Sequence, residues 1–169
     1  AHERARIAAL VRPEERVAVL CSGAGPFPLI IARHSRPQLV VGIELNPAAH
    51  RLALTSLRAN RRLGAVRFVQ GDAAEAVAQF PGLFDRVLVV LPRTGETLLP
   101  AALDALRPGG TLHFYAMRRR DEADAAPAAV ERACALRGRR PGPVTTVVCG
   151  HCGPGEHRVC LDCPIDTTG

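Results

Sequence analysis

The chain has 169 residues, a length typical of one domain with a substantial hydrophobic core, so we expect a single domain over residues 1–169. The formal net charge is +6 and all 22 basic residues are arginine, so the charge permits a polyanionic partner without identifying one. Aromatic residues make up 4%, which argues against a stacking platform for single-stranded bases, and the longest apolar runs, such as 87–91, are too short for a membrane span.

The N-terminus lacks the apolar stretch of a signal peptide, so we expect a cytoplasmic protein with reduced cysteines. The first residue is Ala1 rather than Met, which suggests a piece of a longer chain with further domains upstream.

Predicted strands and helices alternate along the chain. Apolar runs and two-residue alternation predict seven strands, at 17–21, 38–43, 66–69, 84–91, 111–115, 144–149 and 157–162. Helical spacing predicts helices at 3–10, 29–34, from 47 onward, 98–106 and up to 136, and the third of them is expected to bury Ala49, Leu52, Ala53 and Leu57. This order predicts an α/β fold with a mostly parallel sheet, helices on both faces and a C-terminal antiparallel hairpin.

The first strand runs directly into a glycine turn, Ser22-Gly23-Ala24-Gly25, which is followed by a helix. Because glycine has no Cβ, such a turn can adopt positive φ and lets a ligand approach bare backbone at the helix N-terminus. No third glycine completes a dinucleotide fingerprint, since Pro28 stands at that position. The turn therefore favours a nucleoside cofactor without phosphates.

Two acidic residues follow neighbouring strands at the edge where ligands bind in such sheets. Glu44 ends the second strand, where a carboxylate can accept hydrogen bonds from both hydroxyls of a ribose, and no structural role for it is evident. Asp72 follows the third strand and can reach the exocyclic amine of an adenine, with the amide of Ala73 beside it. The alternative for Asp72 is a helix N-cap ahead of Ala73.

Several motifs together point to a known family. They are Gly23-Ala24-Gly25-Pro26-Phe27, Glu44-Leu45-Asn46-Pro47, Gly71-Asp72-Ala73, Leu91-Pro92, His113-Phe114-Tyr115 and the closing segment 153–162. In this set the chain resembles, over nearly its whole length, the S-adenosylmethionine-dependent tRNA guanine-N1 methyltransferases, which modify the guanosine 3′ of the anticodon. Wyosine-pathway relatives of that family transfer an aminocarboxypropyl group. The resemblance implies a Rossmann-like class I methyltransferase fold, S-adenosylmethionine as cofactor and tRNA as partner.

The resemblance also implies roles for individual residues. The implied catalytic residues are Glu3, Arg4 and Pro92, with Glu3 as the carboxylate that takes the proton from guanine N1. The alternative for Glu3 is a solvated charge at a helix start. The implied cofactor-binding residues are Cys21, Ser22, Gly23, Gly25, Phe27, Glu44, Leu45, Asp72, Ala73 and Leu91.

Two positions depart from the family pattern. Val90 stands where the family carries an asparagine that orients the target base, and Val19 replaces an aspartate of the first strand. The family's preceding recognition domains are also missing, so recognition of tRNA is expected from upstream sequence, a partner chain or the arginine surface. Aminocarboxypropyl transfer, methylation of a small molecule, and a non-catalytic nucleoside- or RNA-binding module therefore stay open.

Two other groups of residues have both a structural and a functional interpretation. The pairs Cys149/Cys152 and Cys160/Cys163 have the spacing of a zinc site, but the pairs are unusually close in sequence, so we expect structural cysteines and no metal. A zinc site and a redox pair are the alternatives. Arg118-Arg119-Arg120 can neutralise phosphates or form a solvated face beside Asp121 and Glu122.

Overall fold

In the computed structural model, which describes residues 2–167, seven strands form one sheet. The strands in chain order are β1 (Arg16–Leu20), β2 (Leu39–Glu44), β3 (Val66–Gln70), β4 (Phe84–Val89), β5 (Leu106–Arg119), β6 (Thr145–Gly153) and β7 (Glu156–Pro164). The α-helices are α1 (His2–Leu10), α2 (Pro26–His34), α3 (Pro47–Ala59), α4 (Ala73–Val77), α5 (Leu99–Ala105) and α6 (Ala125–Leu136), and a 3₁₀ turn (Gly95–Leu98) precedes α5. Ala1, Thr168 and Gly169 of the predicted domain lie outside the described residues.

The strand order is β3-β2-β1-β4-β5-β7-β6. Strands β1 to β5 run parallel to one another, whereas β7 is antiparallel to β5 and β6 is antiparallel to β7. The predicted fold class is thereby confirmed. Chain order reverses between β1 and β4, and in sheets of this kind the crevice beyond the carboxyl ends of the strands at that point is where ligands bind.

Helices cover both faces of the sheet, because successive strand residues point to opposite sides. Ala18 and Leu20 pack in a buried cluster with residues of α4, α5 and α6. Val17 and Val19 pack in a second cluster with residues of α1 and α2. Among residues 2–167, no helix combines the length and apolar character needed to cross a bilayer.

Several boundaries differ from the predictions. The fourth strand ends at Val89 rather than at residue 91, and the helix predicted to end at 106 ends at Ala105. Leu106 instead starts β5 and pairs with Phe84, so residues 107–110, which separate the predicted helix from the predicted strand, become part of a 14-residue strand. The local Pro-Gly-Gly sequence signals a turn, but the pairing of Leu106 with Phe84 of β4, across a register shift, extends the strand.

Helix α3 also differs from its predicted inner face. Leu52 is 60% exposed, and within α3 only Ala53 is fully buried. The helix packs mainly on β3 and β2, at the edge of the sheet, where one side of a helix finds little surface to cover it. The prediction of a helix is confirmed, whereas the prediction that its inner face is buried is wrong at Leu52.

A chain of charged groups lies beneath α1, on the side of the second cluster. The buried Arg86 contacts Glu15 (Nε–Oε2 2.6 Å) and His113 (Nη1–Nε2 3.1 Å), and His113 Nδ1 lies 2.6 Å from Asp162 Oδ1. Asp162 in turn accepts a hydrogen bond from Arg6 (Nη1–Oδ2 2.6 Å). Because arginine can only donate, His113 Nε2 is the acceptor and Nδ1–H donates to Asp162, which is the neutral tautomer. Each side chain in this series, from Glu15 to Arg6, thus has a hydrogen-bond partner.

Burial lowers the pKa of His113 below its ordinary value of 6.5, with a smaller contribution from the charge of Arg86 and against the opposing effect of Asp162. The unfolded chain therefore takes up a proton at His113 at a pH where the folded chain does not. Stability supplied by this site is present above about pH 6.5 and is lost as the pH falls below it. We expect the free energy of unfolding in urea to decrease from pH 7 to about pH 5.

The variant His113→Asn keeps a donor toward Asp162 but cannot titrate. Its free energy of unfolding should change less between pH 7 and about pH 5 than that of the native chain, even if it is lower at every pH. Equal pH slopes for the two proteins would contradict a neutral buried His113.

Candidate functional site

The glycine turn between β1 and α2 contains three residues with positive φ. They are Cys21 (60°), Gly23 (58°) and Gly25 (84°). A Cβ added at Gly25 would lie 2.5 Å from the ring of Phe68, whereas one added at Gly23 would have no atom within 4 Å. Packing against Phe68 thus explains Gly25, and Gly23 is the glycine whose bare backbone faces open space.

The Glu44 carboxylate fastens this turn to the end of β2. Its Oε2 accepts a hydrogen bond from Gly23 N (2.7 Å), and its Oε1 accepts one from Asn46 N (2.8 Å). Glu44 therefore has a structural role that was not evident from the sequence, and its role in binding a ribose stays a prediction. Each carboxylate oxygen has further acceptor capacity, so these two bonds fix the carboxylate beside the open side of Gly23 without saturating it.

Asp72 caps α4, because its Oδ1 accepts a hydrogen bond from Glu75 N (3.0 Å). The capping alternative raised from the sequence is confirmed, and Ala73 is the buried first residue of this helix. Burial, together with the charges of Glu44 and Asp72, raises the pKa of the Cys21 thiol. The Glu44 carboxylate thus lies beside the turn that follows β1, and the charge of Asp72 acts on the Cys21 thiol at the end of that strand.

Other predicted cofactor residues have diverse environments. The Ser22 hydroxyl is buried and has no hydrogen-bond partner within residues 2–167. Leu45 is 64% exposed, and Leu91 packs against the core cluster at the exit of β4. Phe27 is buried with its ring 5.6 Å from that of Tyr115, and it lines a different cavity from the one expected at the glycine turn.

That cavity, of about 270 Å³, brings the three predicted catalytic residues together. We call it the acceptor cavity; its lining residues are His2, Glu3, Arg4, Phe27, Val90, Pro92, Tyr115, Cys149 and Arg158. From the sequence, no catalytic or cofactor role was predicted for His2, Tyr115, Cys149 or Arg158. Tyr115 is the single tyrosine of the chain and stands in the His-Phe-Tyr motif, which is the one signal that could have found it.

Glu3 is held on several sides and is not a solvated charge. Its side chain is 12% exposed. Arg6 donates to both carboxylate oxygens (Nε–Oε2 and Nη2–Oε1, each 2.8 Å), and the Tyr115 hydroxyl donates to Oε1 (2.7 Å). Burial and this hydrogen bond raise the pKa of Tyr115, which keeps the hydroxyl protonated. Through Arg6, Glu3 is also joined to Asp162 and the buried charged chain.

The four cysteines of the two pairs do not converge. Cys160 belongs to the cluster on one face of the sheet and Cys163 to the cluster on the other face. Cys152 is exposed, and the Cys149 thiol donates to the carbonyl of Arg158 (3.4 Å). The zinc alternative is therefore wrong for this set, and burial in the core accounts for Cys160 and Cys163.

Within residues 2–167, one His/Cys/Asp trio has its potential ligand atoms within 4.8 Å of one another, namely His113, Cys160 and Asp162. His113 Nε2 already accepts from Arg86, and Asp162 accepts from Arg6 and His113. Hydrogen bonding within the protein accounts for this cluster.

Comparison with known proteins gives a consistent family. The family described as "TRM5/TYW2 methyltransferase domain" matches residues 1–138. The tRNA 4-demethylwyosine(37)-methyltransferase Taw21 of Saccharolobus solfataricus is 29% identical over 114 residues, which cover 68% of this chain and 43% of the relative. A 4-amino-L-phenylalanine/4-methylamino-L-phenylalanine methyltransferase of Streptomyces pristinaespiralis is 36% identical over 115 residues, or 66% of this chain and 38% of that protein.

Solved structures share the fold. The structure of Trm5b from Pyrococcus abyssi superposes with a TM-score of 0.88 at 20% identity, over 98% of this chain and 48% of that one. M. jannaschii TYW2 in complex with AdoMet gives a TM-score of 0.87 at 20% identity, over 97% and 74% of the two chains. The present chain spans less than half the length of the curated relatives described above.

The two glycines of the turn provide a matched pair of variants. Both have positive φ, so replacement by alanine imposes backbone strain of the same kind at each. Only the Cβ of an alanine at position 25 would clash with the ring of Phe68. We therefore expect Gly25→Ala to lower the free energy of unfolding by about 1–3 kcal/mol more than Gly23→Ala, as measured by urea denaturation. Equal losses would show that Phe68 does not constrain the turn.

Proposed function

The chain belongs to the TRM5/TYW2 methyltransferase family, and on that premise we propose that it methylates a guanosine of tRNA next to the anticodon. The proposed methyl acceptor is N1 of that guanosine, and the methyl donor is S-adenosylmethionine, the cofactor that this family uses. The observation that carries the proposal is the acceptor cavity, where Glu3, Arg4 and Pro92 meet beside the exit of β4. A tRNA acceptor would be met in the cytoplasm, and the six free cysteines fit a reducing compartment.

The residues at the glycine turn fit an adenosine. Gly23 has open space where a side chain would stand, Glu44 is fixed beside it with acceptor capacity for ribose hydroxyls, and the buried Ser22 hydroxyl lacks a partner within residues 2–167. We assign the cofactor to these residues together with Asp72 and its neighbours at the strand ends. When bound, S-adenosylmethionine supplies a methyl group activated by the sulfonium.

In the acceptor cavity, Glu3 is the proposed proton acceptor. Guanine N1 must lose its proton as the new N–C bond forms, and a carboxylate within hydrogen-bond reach can take it. The bonds from Arg6 and Tyr115 hold the Glu3 carboxylate in one orientation. Arg4 adds positive charge at the same cavity, which would stabilise the negative charge that develops on the base. Most of the rate enhancement would come from positioning the two reactants.

A small aromatic amine is the second candidate acceptor. Val90 lines the acceptor cavity and offers no hydrogen bond to a guanine edge. The relative that is 36% identical is named for 4-amino-L-phenylalanine. Such an amino acid would place its ring against Phe27 and Tyr115 and its carboxylate near Arg4 or Arg158, which line the same cavity.

Mass spectrometry separates these acceptors. The full chain is incubated with S-adenosylmethionine and either unmodified tRNA or 4-amino-L-phenylalanine. The tRNA is digested to nucleosides, and the masses of the products are measured. A methyl group on guanosine supports the main proposal, and a methyl group on the amine supports the second candidate. An aminocarboxypropyl group on tRNA, or no transfer to either acceptor, would overturn methyl transfer as the function.

Glu3→Gln tests the proposed base. It keeps the size of the side chain but cannot accept the proton, so kcat should fall by about 10²- to 10⁴-fold while affinity for S-adenosylmethionine, measured by calorimetry, is unchanged. Glu131→Gln, an exposed site on α6, serves as the control and should leave kcat unchanged. A Glu3→Gln variant with native kcat would exclude Glu3 as the proton acceptor.

A further inference from the structure

A second cavity at the same end of the sheet is lined by arginines. It measures about 450 Å³, and its lining residues are Arg118, Arg119, Arg120, Ala123, Gly155 and His157. We call it the arginine cavity. It forms where the end of β5 meets the tip of the β6–β7 hairpin. Three guanidinium groups and no carboxylate belong to its lining, so the site is positively charged.

The three arginines are not neutralised within the protein. Across residues 2–167, none of them lies within ion-pair distance of a carboxylate, although eight other basic residues do. Glu156 is the register partner of Arg119, but its carboxylate lies 3.9 Å from Arg93. Asp121 and Glu122 follow the arginines in sequence and are exposed. A ligand with negative charge would therefore find unpaired donors here.

The arginine cavity and the acceptor cavity lie at the same edge of the sheet, on opposite faces. Strand β5 is parallel to β4, so Arg118 and Arg119 stand at the carboxyl edge of the sheet with the glycine turn. Met117 N donates to the carbonyl of Pro92 (3.2 Å), and Pro92 lines the acceptor cavity. On β7, His157 lines the arginine cavity and the next residue, Arg158, lines the acceptor cavity. Because successive strand residues point to opposite sides, the two cavities open on opposite faces of the same edge of the sheet. A polymer that crosses this edge from one cavity reaches the other.

We propose that the arginine cavity binds phosphodiester groups of the RNA strand that flanks the methylated nucleoside. This inference rests on the proposed function, because it takes RNA as the substrate. Planar guanidinium groups pair bidentately with phosphate oxygens, and such contacts position a strand without reading its sequence. The arginine cavity would supply part of the affinity for tRNA. It would not contribute to binding of a small aromatic amine, the second candidate acceptor.

A second arginine-lined cavity provides a charge-matched control. It is lined by Arg33 at the end of α2 and by Arg61 and Arg62 after α3, among other residues. Both helices lead back to the amino ends of β2 and β3, so this cavity lies at the opposite edge of the sheet. The triple variants R118Q/R119Q/R120Q and R33Q/R61Q/R62Q remove the same charge from the two edges.

The experiment measures the affinity of the full chain for unmodified tRNA, without turnover, at several salt concentrations. We expect R118Q/R119Q/R120Q to raise Kd by about 10- to 100-fold at low salt and to reduce the slope of log affinity against log salt by about 2. The control R33Q/R61Q/R62Q should change Kd by less than about threefold. Affinity for S-adenosylmethionine, measured by calorimetry, should stay at the native value in both.

An equal loss of tRNA affinity in the two triple variants would overturn the proposal, because the loss would then depend only on net charge and not on the position of the arginines. Native affinity in R118Q/R119Q/R120Q, or no tRNA binding by the native chain, would overturn it as well. The proposed function is judged separately by product analysis. If tRNA is methylated and neither triple variant binds tRNA more weakly, the proposed function stands and the phosphate site is refuted. If only R118Q/R119Q/R120Q binds tRNA more weakly and no tRNA is methylated, the phosphate site stands and the proposed function is refuted.

Discussion

The interaction on which this structure most depends is the contact of Arg6 with Asp162 on one side and Glu3 on the other. It ties α1 to β7, two elements at opposite ends of the sequence. Asp162 in turn holds the buried His113. Hydrogen bonds from His113 and Arg6 and the positive charge of Arg6, acting against burial, keep the pKa of Asp162 well below its usual range, so the carboxylate stays charged. Removing Arg6 would leave two carboxylates without their partner, a costly change for groups that are mostly buried. The same contact fixes Glu3 at the acceptor cavity.

The glycine turn shows how fold and binding share the same residues. Glu44 fastens the turn to β2 through two backbone amides, one of them that of Gly23, whose Cα borders open space. Asp72 caps a helix and still lies near the end of β1. A structural role for an acid at a strand end is therefore compatible with a binding role. The fold holds the carboxylates in place before any ligand arrives, which lowers the entropy lost on binding.

Much of this architecture could be predicted from sequence, because short apolar runs and glycine turns are local signals. The strands, the parallel order and the grouping of Glu3, Arg4 and Pro92 follow from such signals and from a family resemblance. What could not be predicted depends on contacts distant in sequence. The extension of β5 from Leu106 comes from pairing with its neighbours, the exposure of Leu52 from the position of α3 at the sheet edge, and the failure of the zinc alternative from opposite-facing cysteines.

The central claim is that the turn and Glu44 hold S-adenosylmethionine in a site preformed by the fold. Isothermal titration calorimetry with S-adenosylmethionine tests it directly, on the native chain, on Glu44→Ala and on Glu75→Ala, a control acid exposed on α4. Circular dichroism confirms that each variant is folded at the temperature used. The expected result is one site per native chain, an affinity lower by at least about tenfold in folded Glu44→Ala, and native affinity in the control. Native affinity in Glu44→Ala, or no binding to the native chain, would contradict the claim.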